Sequence, residues 1–314
     1  MPATPYSRYL IGTLPWYSAL IVTGILAALF IVSREEKRLQ LPHDTTVDLA
    51  LCVIPCGIIG ARLYYVLFAW DLFRDDPLRI LRIWEGGLAI YGGVIGGAIA
   101  GAVFSRIRKI PLSRLMDMAA PALPLAQAIG RWGNYFNQEA YGAPITSPAW
   151  QFFPAGVLVN GQWYMATFFY ESAWDLAIFI ALMLTRRRMR RSGDVFLWYA
   201  ALYGAGRFVI EGLRSDSLMT GTLRVSQLLS LMLCLTALLI FLWRLMRQQR
   251  ARTAALIFVP AAALCILWLV IPMPVLPMTA LLSLTLITAS ILAYIQINPS
   301  HMEAQSCPQH PSRT

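Results

Sequence analysis

Charged residues are scarce in this chain of 314 residues, at 13%, whereas hydrophobic residues make up 58%. Soluble globular domains carry about 25% charged residues. The mean hydropathy of +0.58 agrees with this shortage. The composition therefore excludes an ordinary soluble domain. It indicates an integral membrane protein with room for roughly seven to ten spans of about 20 residues.

Histidine is nearly absent, and none of the three histidines falls in an apolar run; they are His43, His301 and His310. A zinc site needs several His, Cys or acidic ligands, and a Ser-His-Asp arrangement needs a histidine as its base. The sequence therefore argues against both chemistries in the membrane-embedded part, and we expect no metal site.

Cysteine offers no redox or metal motif either. The chain contains no C-x-x-C pair, and four of its five cysteines lie in apolar runs while the fifth lies in the polar tail. They are Cys52, Cys56, Cys234, Cys265 and Cys307. We expect those in the apolar runs to act as small apolar residues in the core.

The apolar runs predict an all-α polytopic bundle with nine membrane-spanning helices. The first run opens at Trp16 after a single arginine, Arg8, and no A-x-A-like cleavage site follows it. It is therefore interpreted as a retained anchor rather than a signal peptide. The predicted spans are 16–32, 48–69, 86–104, 115–130, 166–184, 194–212, 225–243, 254–271 and 277–296.

The basic residues fall mostly in short connections between these spans. Four clusters, which begin at Arg34, Arg106, Arg186 and Arg244, follow the first, third, fifth and seventh spans. The positive-inside rule places such connections in the cytoplasm. We therefore expect the N-terminus outside and the C-terminus in the cytoplasm. The net charge of +10 follows from this topology and implies no nucleic-acid partner.

A glycine-rich stretch, residues 86–101, surrounds Tyr91. Gly93, Gly97 and Gly101 recur at a spacing of four, which leaves one helix face without side chains. Such a face lets a neighbouring helix approach closely. Helix packing explains most of the pattern, and the functional alternative is a pocket in which Tyr91 and the glycines meet a lipid.

The segment QAIGRWGNYFNQEAYG, residues 127–142, places polar residues among glycines and aromatic residues in an apolar region. A charged side chain near the bilayer centre costs about 2.5–3.5 kcal/mol on insertion scales, so ionisable residues there are candidate functional residues. The glycines indicate a broken helix or a loop buried in protein. A purely structural polar cluster is the alternative. The polar residues are Arg131, Asn134, Asn137 and Glu139.

The segment 203–214 ends the sixth predicted span with a second polar set. Arg207 and Glu211 are four residues apart, so they share a helix face and could pair, with Tyr203 one turn earlier. A structural ion pair is one interpretation. The presence of Arg131 and Arg207 in one small bundle favours a phosphate clamp instead, because guanidinium groups bind phosphate in a bidentate manner. Such a site would handle a phospholipid headgroup.

The stretch GRWGNYFNQEAYG, residues 130–142, resembles the signature G-R-x-G-N-F-x-N-x-E-x-x-G of the bacterial prolipoprotein diacylglyceryl transferases. Tyr135 stands where the family often has Phe. The resemblance covers about residues 10–243 and seven spans, and two further spans are an addition to the family's plan. Supporting segments in the family's order are Trp16-Tyr17, Gly60-Ala-Arg62, Tyr65, Trp84-Glu-Gly-Gly-Leu88, Gly92-Gly93, Asp117, Tyr170-Glu171-Ser172 and 203–214.

The resemblance implies transfer of the diacylglyceryl group from phosphatidylglycerol to the lipobox cysteine of a preprolipoprotein signal peptide, in the bacterial cytoplasmic membrane. A thioether forms, glycerol phosphate leaves, and no organic cofactor is needed. Arg131 and Arg207 would hold the phosphate, and Glu211 would orient Arg207. The implied catalytic residues are Arg207, Tyr91, Glu211 and Tyr203. The implied residues for binding phosphatidylglycerol are Arg131, Asn134, Asn137, Glu139, Gly142 and Tyr17.

Two departures from the family pattern bear on activity. Tyr91 stands where many members have a histidine that is often proposed as the base for the thiol proton. Tyrosine, with a reference pKa of about 10, is a poorer base at neutral pH than histidine at about 6.5. The segment 165–171 also departs from the family's H-P-x-Q/F-L-Y-E. Either Tyr91 acts by hydrogen bonding while the arginines lower the pKa of the thiol, or the chain has lost activity.

Two other functions stay open at this point. A catalytically inactive, lipid-binding paralogue would keep the phosphate clamp without a base. A small-molecule or lipid transporter would also carry intramembrane arginines, but it would tend to show repeated broken helices in two halves, and the sequence shows no such repeat.

The sequence also predicts a division of the chain into three parts. Residues 1–250 form the transferase membrane domain, residues 251–296 form an additional pair of transmembrane helices, and residues 297–314 form a polar cytoplasmic tail. Because the resemblance ends near residue 243, we expect the additional pair to be dispensable for the chemistry.

Overall fold

The computed structural model describes residues 8–189, 191–215, 219–220, 223–248, 250–270 and 276–297. These residues form mainly α-helices, and the predicted all-α membrane fold is confirmed. The predicted tail lies outside the described residues, apart from Ile297. The helices in the described ranges are α1 (Trp16–Arg38), α2 (Thr45–Phe68), α3 (Ile90–Ile107), α4 (Leu112–Ala119), α5 (Ala122–Asn137), α6 (Thr167–Thr185), α7 (Asp194–Glu211), α8 (Val225–Arg247), α9 (Ala251–Val270) and α10 (Leu276–Ile297).

Short antiparallel strand pairs and single 3-10 turns connect some of these helices. The 3-10 turns between α2 and α3 are Trp70–Leu72, Pro77–Leu81 and Ile83–Glu85, and a fourth is Pro148–Trp150. The strand pairs are β1 (Tyr9–Ile11) with β2 (Leu14–Pro15), β3 (Gly156–Val159) with β4 (Gln162–Met165), and β5 (Met219–Thr220) with β6 (Leu223–Arg224). In the β3–β4 hairpin, Gly156 lies opposite Met165.

Within the described residues, six helices are long and apolar enough to cross a membrane: α1, α2, α3, α6, α8 and residues 277–297 of α10. A shorter apolar stretch, Arg252–Trp268, lies in α9. The predicted fourth span, 115–130, is wrong as a single helix, because α4 ends at Ala119 and α5 begins at Ala122. Pro121 stands between them, and it has no N–H to continue the hydrogen bonding of α4.

The described residues form two compact units, those within 1–24, 124–185 and 197–314 in the first and those within 25–123 and 186–196 in the second. In the second unit, glycines allow α2 and α3 to pack closely. A Cβ on Gly60 would lie 2.5 Å from the carbonyl oxygen of Gly92, and one on Gly96 would collide with the carbonyl of Cys56.

The glycine face predicted for α3 is only partly correct. The closest approach uses Gly92 and Gly96 rather than the predicted set, and a Cβ on Gly101 would meet nothing within 4 Å. Cys52 and Cys56 of α2 are exposed, whereas Cys234 and Cys265 are buried. The expectation of core cysteines is therefore wrong for the first two. An apolar side chain on the outside of a membrane helix meets lipid, so its polarity does not reveal burial.

Two polar residues of the second unit have structural roles. Arg62 is buried and donates hydrogen bonds to the carbonyl oxygens of Arg79 (2.6 Å), Ile80 (2.9 Å) and Gly86 (2.6 Å). It thereby ties the connection between α2 and α3 to α2. Asp117 accepts hydrogen bonds from two backbone N–H groups at the start of α7. One belongs to Gly193, just before the helix (2.6 Å), and the other to Phe196, in its first turn (3.0 Å). Carboxylates stabilise helix N-termini in this way.

The additional helices α9 and α10 pack on α7 in the first unit. The Ser283 hydroxyl of α10 donates to the carbonyl oxygen of Ala205, at 2.8 Å. The fully buried ring of Trp268 in α9 lies 4.9 Å from the ring of Phe208, measured between centroids. The α7 residues in these contacts, Ala205 and Phe208, lie two residues before and one residue after Arg207 in the sequence. The expectation that the pair is dispensable for chemistry stays a prediction.

Candidate active site

Three helices of the first unit, α5, α6 and α7, are held together by small side chains and hydrogen bonds. Ser172 of α6 donates to the carbonyl oxygen of Ala128 in α5, at 2.8 Å. The indole N–H of Trp174 in α6 donates to the carbonyl oxygen of Leu202 in α7, at 3.0 Å, and its ring occupies the space where a side chain on Gly206 would stand. These contacts set the register in which the polar side chains of the three helices meet.

Glu171 of α6 is the centre of this polar region. Its two carboxylate oxygens accept hydrogen bonds from Nη1 of Arg207, each at 2.7 Å. Nη2 of Arg131 forms an ion pair with Oε1 of the same carboxylate. Glu171 is only 2% exposed. Arginines from two helices thus converge on one buried carboxylate, which holds both guanidinium groups in fixed orientations.

Glu211 provides a second carboxylate for Arg207. The Oε2 atom of Glu211 lies 2.7 Å from Nη2 of Arg207, so the pair expected from the spacing of four is present. Nε of Arg214 lies 3.9 Å from the same oxygen, and Arg224 donates to the carbonyl oxygen of Glu211. A guanidinium group has five N–H donors, and these carboxylate contacts use only part of those of Arg207.

The predicted motif begins in α5, which continues through Gly130 and Gly133 to Asn137, and it ends in a loop that contains Gly142. The helix is therefore not broken at the first two glycines, whereas the expected loop is present after Asn137. Asn134 and Asn137 donate from their amide nitrogens to Oε1 of Glu139, at 3.0 and 3.2 Å. Gln138 and Ala140 flank Glu139 with φ of 56° and 58°. Few non-glycine residues adopt this left-handed conformation, and it is often found at functional sites.

Tyr17 of α1 approaches the same helix. Its ring packs on Gly133, since a Cβ there would lie 2.7 Å from Cδ2 of the ring. The phenol interacts electrostatically with Glu139 and Arg131. The structure therefore brings together the predicted residues Tyr17, Arg131 and Glu139.

Gly142 lies where three segments of the first unit meet. Its N–H donates to the carbonyl oxygen of Met165 at 2.9 Å, and the next N–H, of Ala143, donates to that of Leu213 at 3.2 Å. A Cβ on Gly142 would lie 2.7 Å from the Leu213 oxygen and 2.9 Å from Cγ2 of Thr167. The backbone here comes too close for a side chain, and this joins the end of the motif to the end of α7.

Substitution of Gly142 by alanine is therefore expected to destabilise the protein by about 1–3 kcal/mol, the usual cost of overpacking. Thermal unfolding in detergent would show it as a lower Tm. Gly130→Ala is the matched control, because a Cβ on Gly130 meets nothing within 4 Å and alanine favours a helix over glycine. Equal Tm values for the Gly142→Ala and wild-type proteins would contradict the packing argument.

The two candidate tyrosines lie in different units. Tyr203 belongs to the first, where its hydroxyl interacts electrostatically with Glu171, Arg131 and Arg207. Tyr91 belongs to the second, in the first turn of α3, with its ring centroid 6.4 Å from that of Tyr64. The structure thus places Tyr203 in the arginine cluster, and the role of Tyr91 stays a prediction. This cluster consists of the ion-paired residues Arg131, Arg207, Arg214, Glu171 and Glu211.

Two acidic residues of α6, Glu171 and Asp175, lie among the site residues although they are not among those predicted from the sequence. Both are buried; Glu171 is 2% exposed and Asp175 is fully covered. The signal that would have found them is a carboxylate inside an apolar run, which is costly in a membrane and therefore a functional candidate. No group of three or more His, Cys, Asp or Glu among the described residues could hold a metal ion.

A sequence profile of the family described as prolipoprotein diacylglyceryl transferase matches residues 9–243. Several relatives named phosphatidylglycerol–prolipoprotein diacylglyceryl transferase are also similar to this chain. The protein from Halalkalibacterium halodurans is 44% identical over 239 residues, 74% of this chain and 83% of the relative. The protein from Listeria monocytogenes serotype 4b is 42% identical over 240 residues, which cover 74% of this chain and 87% of the relative. The protein from Streptococcus mutans is 44% identical over 233 residues, which cover 73% of this chain and 90% of the relative.

The matched region runs from β1 into α8 and includes Glu171 and all the arginines of its cluster, whereas α9 and α10 lie beyond it. It covers well over half of the chain, and the relatives are matched over most of their own length. The chain therefore belongs to the prolipoprotein diacylglyceryl transferase family.

Proposed function

We propose that this membrane protein transfers the diacylglyceryl group of phosphatidylglycerol to the thiol of a lipobox cysteine in a preprolipoprotein signal peptide. A thioether forms and glycerol phosphate is released. The family match and the relatives' names, which give phosphatidylglycerol and prolipoprotein, support this transferase activity. The observation that carries the site assignment is the buried cluster in which Glu171 holds Arg131 and Arg207 together.

The arginine cluster binds the phosphate of the donor lipid. Guanidinium N–H groups that do not face Glu171 or Glu211 donate to the phosphate oxygens. The thiolate attacks C3 of the glycerol that carries the acyl chains, and the bond from that carbon to the phosphate oxygen breaks. The leaving phosphate monoester gains negative charge, which Arg131 and Arg207 stabilise because they are already oriented before the reaction.

The end of α5 orders the headgroup of the donor. Hydrogen bonds from the amides of Asn134 and Asn137 fix Glu139. The ring of Tyr17, from α1, packs against Gly133 of the same helix. These groups present hydrogen-bond donors and acceptors to the headgroup glycerol beside the phosphate. Gly142 contributes by letting the segments around the motif approach each other.

Tyr91 acts in this proposal through a hydrogen bond, while the positive charge of the arginines favours the thiolate. Tyr91→Phe is then expected to lower the transfer rate by about tenfold or less and to leave the pH profile in place, because no titrating group is removed. Tyr91→His should restore or raise activity. A loss of more than about a hundredfold in Tyr91→Phe, with a wild-type rate that climbs at alkaline pH, would identify tyrosinate as the base instead.

The topology that accompanies this function follows from the basic clusters after α1, α3, α6 and α8. The positive-inside rule places those helix ends in the cytoplasm, with the N-terminus outside and the C-terminus inside. Arg207 lies toward the end of α7 that is remote from the Arg186 cluster. The site is therefore toward the outer side of the bacterial cytoplasmic membrane.

Complementation of a bacterium depleted of its own transferase, followed by mass analysis of its lipoproteins, tests the proposed function. Restored growth with diacylglyceryl-modified cysteine is the expected result. A stably inserted protein that binds phosphatidylglycerol but leaves lipoproteins unmodified would show an inactive paralogue. An inserted protein that gives neither binding nor modification would also contradict the proposal and would leave the transporter alternative.

A further inference from the structure

Asp175 is a buried acidic residue that the proposed reaction does not use. It lies on α6 one turn beyond Glu171 and is fully covered. Within the described residues, neither of its carboxyl oxygens makes a hydrogen bond. The side chain therefore faces the polar interior of α5, α6 and α7 without the partners that buried carboxylates usually have.

The groups around Asp175 come from all three helices. It interacts electrostatically with Glu171 on its own helix, with Arg131 on α5 and with Arg207 on α7. The hydroxyls of Tyr199 and Tyr203 on α7 also interact with it. Its ionised form would place a second negative charge beside Glu171, in a position where no hydrogen bond offsets the cost of burying a charge.

Without Asp175, the charged groups of the cluster leave a net positive charge. Arg131, Arg207 and Arg214 face two glutamates, Glu171 and Glu211, so one positive charge remains. Arg224, which donates to the carbonyl oxygen of Glu211, and Glu139, which interacts with Tyr17 as Arg131 does, add one charge of each sign. One positive charge matches the single negative charge of a phosphodiester, and an ionised Asp175 would cancel it.

We propose that Asp175 is a positioning residue that is uncharged when the donor lipid binds, and that its ionisation weakens selection of the anionic phospholipid. This inference rests on the proposed function for the identity of the lipid. Because the anion binds better to the form in which Asp175 carries a proton, linkage requires that binding weaken as the pH rises through the ionisation of Asp175. A zwitterionic phospholipid has no net charge and gains little from the cluster's positive charge.

The test is binding of phosphatidylglycerol and phosphatidylcholine to the purified full-length protein in detergent, measured from pH 6 to pH 9. The wild-type affinity for phosphatidylglycerol is expected to fall about tenfold across this range, a typical coupling between two binding events. Asp175→Asn removes the ionisation without changing the size of the side chain. It is expected to keep the affinity that the wild type has at pH 6 throughout the range.

Two further variants complete this test. Asp175→Leu removes the charge without adding an amide, so a folding defect of one variant does not decide the result. Asp48→Asn makes the same change of charge at a partly exposed position in the second unit and should follow the wild-type curve. The proposal is overturned if folded Asp175→Asn shows the wild-type alkaline decline, or if it binds phosphatidylglycerol more weakly than wild type at pH 6.

The binding assay does not depend on turnover. A wild-type protein that binds phosphatidylglycerol with the expected pH dependence but transfers nothing would contradict the proposed function and support the inference about Asp175. Normal transfer together with pH-independent lipid binding would support the proposed function and contradict the inference about Asp175.

Discussion

Arg207→Lys is expected to lower diacylglyceryl transfer by about a hundredfold or more, the usual effect of removing one donor that stabilises a developing oxyanion. The guanidinium of Arg207 bridges Glu171 on α6 and Glu211 on α7 through different nitrogens. Lysine keeps the positive charge but offers a single nitrogen on a flexible chain, so it cannot hold both carboxylates and also present a planar pair of donors to phosphate. The variant therefore separates charge from geometry.

The rate is measured with purified protein, phosphatidylglycerol vesicles and a lipobox peptide. Arg247→Lys is the matched control, since Arg247 lies in the last turn of α8 and contacts the ring of Trp243. It should transfer at the wild-type rate. Near-normal transfer by correctly folded Arg207→Lys would eliminate the phosphate-clamp assignment.

Glu171→Gln is expected to have a comparable effect on transfer and an additional effect on stability. The amide keeps the shape of the side chain but leaves two largely buried arginines without their shared carboxylate. Breaking a buried ion pair by removing one partner destabilises by about 3–5 kcal/mol. The two guanidinium groups also lose their common orientation, so transfer should fall by about a hundredfold or more.

Transfer rates and Tm values of the same preparations check this expectation. Glu85→Gln is the control, because Glu85 makes partly exposed ion pairs with Arg79 and Arg82 in the connection between α2 and α3, and such pairs contribute little. Glu171→Asp should retain more activity than Glu171→Gln because it keeps the charge. A Glu171→Gln protein with wild-type transfer would show that Glu171 does not organise the site.

The sequence predicts contacts between side chains of one helix in this site better than contacts between helices. The Arg207–Glu211 pair follows from a spacing of four on one helix, and the structure contains it. The meeting of Arg131 and Arg207 on Glu171 depends on the register of α5, α6 and α7, which Ser172 and Trp174 help to set. No spacing in the sequence contains that register, so the sequence cannot predict that both arginines contact Glu171, although a carboxylate in an apolar run marks Glu171 as a candidate.

In the fold, too, the sequence predicts features within one helix better than contacts between helices. Long apolar runs predict α1, α2, α3, α6 and α8 well, because the length that crosses a bilayer is a simple requirement. The division between α4 and α5 at Pro121 was not predicted, since an apolar run with one proline can be a kinked helix or two helices. The face of α3 that packs on α2 differs by one residue from the predicted one, because several glycines in the run satisfy the same pattern.

Mass spectrometry of a lipobox peptide shows directly whether the arginine cluster holds phosphatidylglycerol for transfer to a cysteine thiol. The peptide is incubated with the full-length protein in vesicles of phosphatidylglycerol or of phosphatidylcholine, and a Cys→Ser peptide serves as control. The expected result is a mass increase of one diacylglyceryl group on the cysteine peptide with phosphatidylglycerol only, formed about a hundredfold or more slowly by Arg207→Lys and Glu171→Gln. No mass increase with the wild-type protein, or an equal increase with these variants, would contradict it.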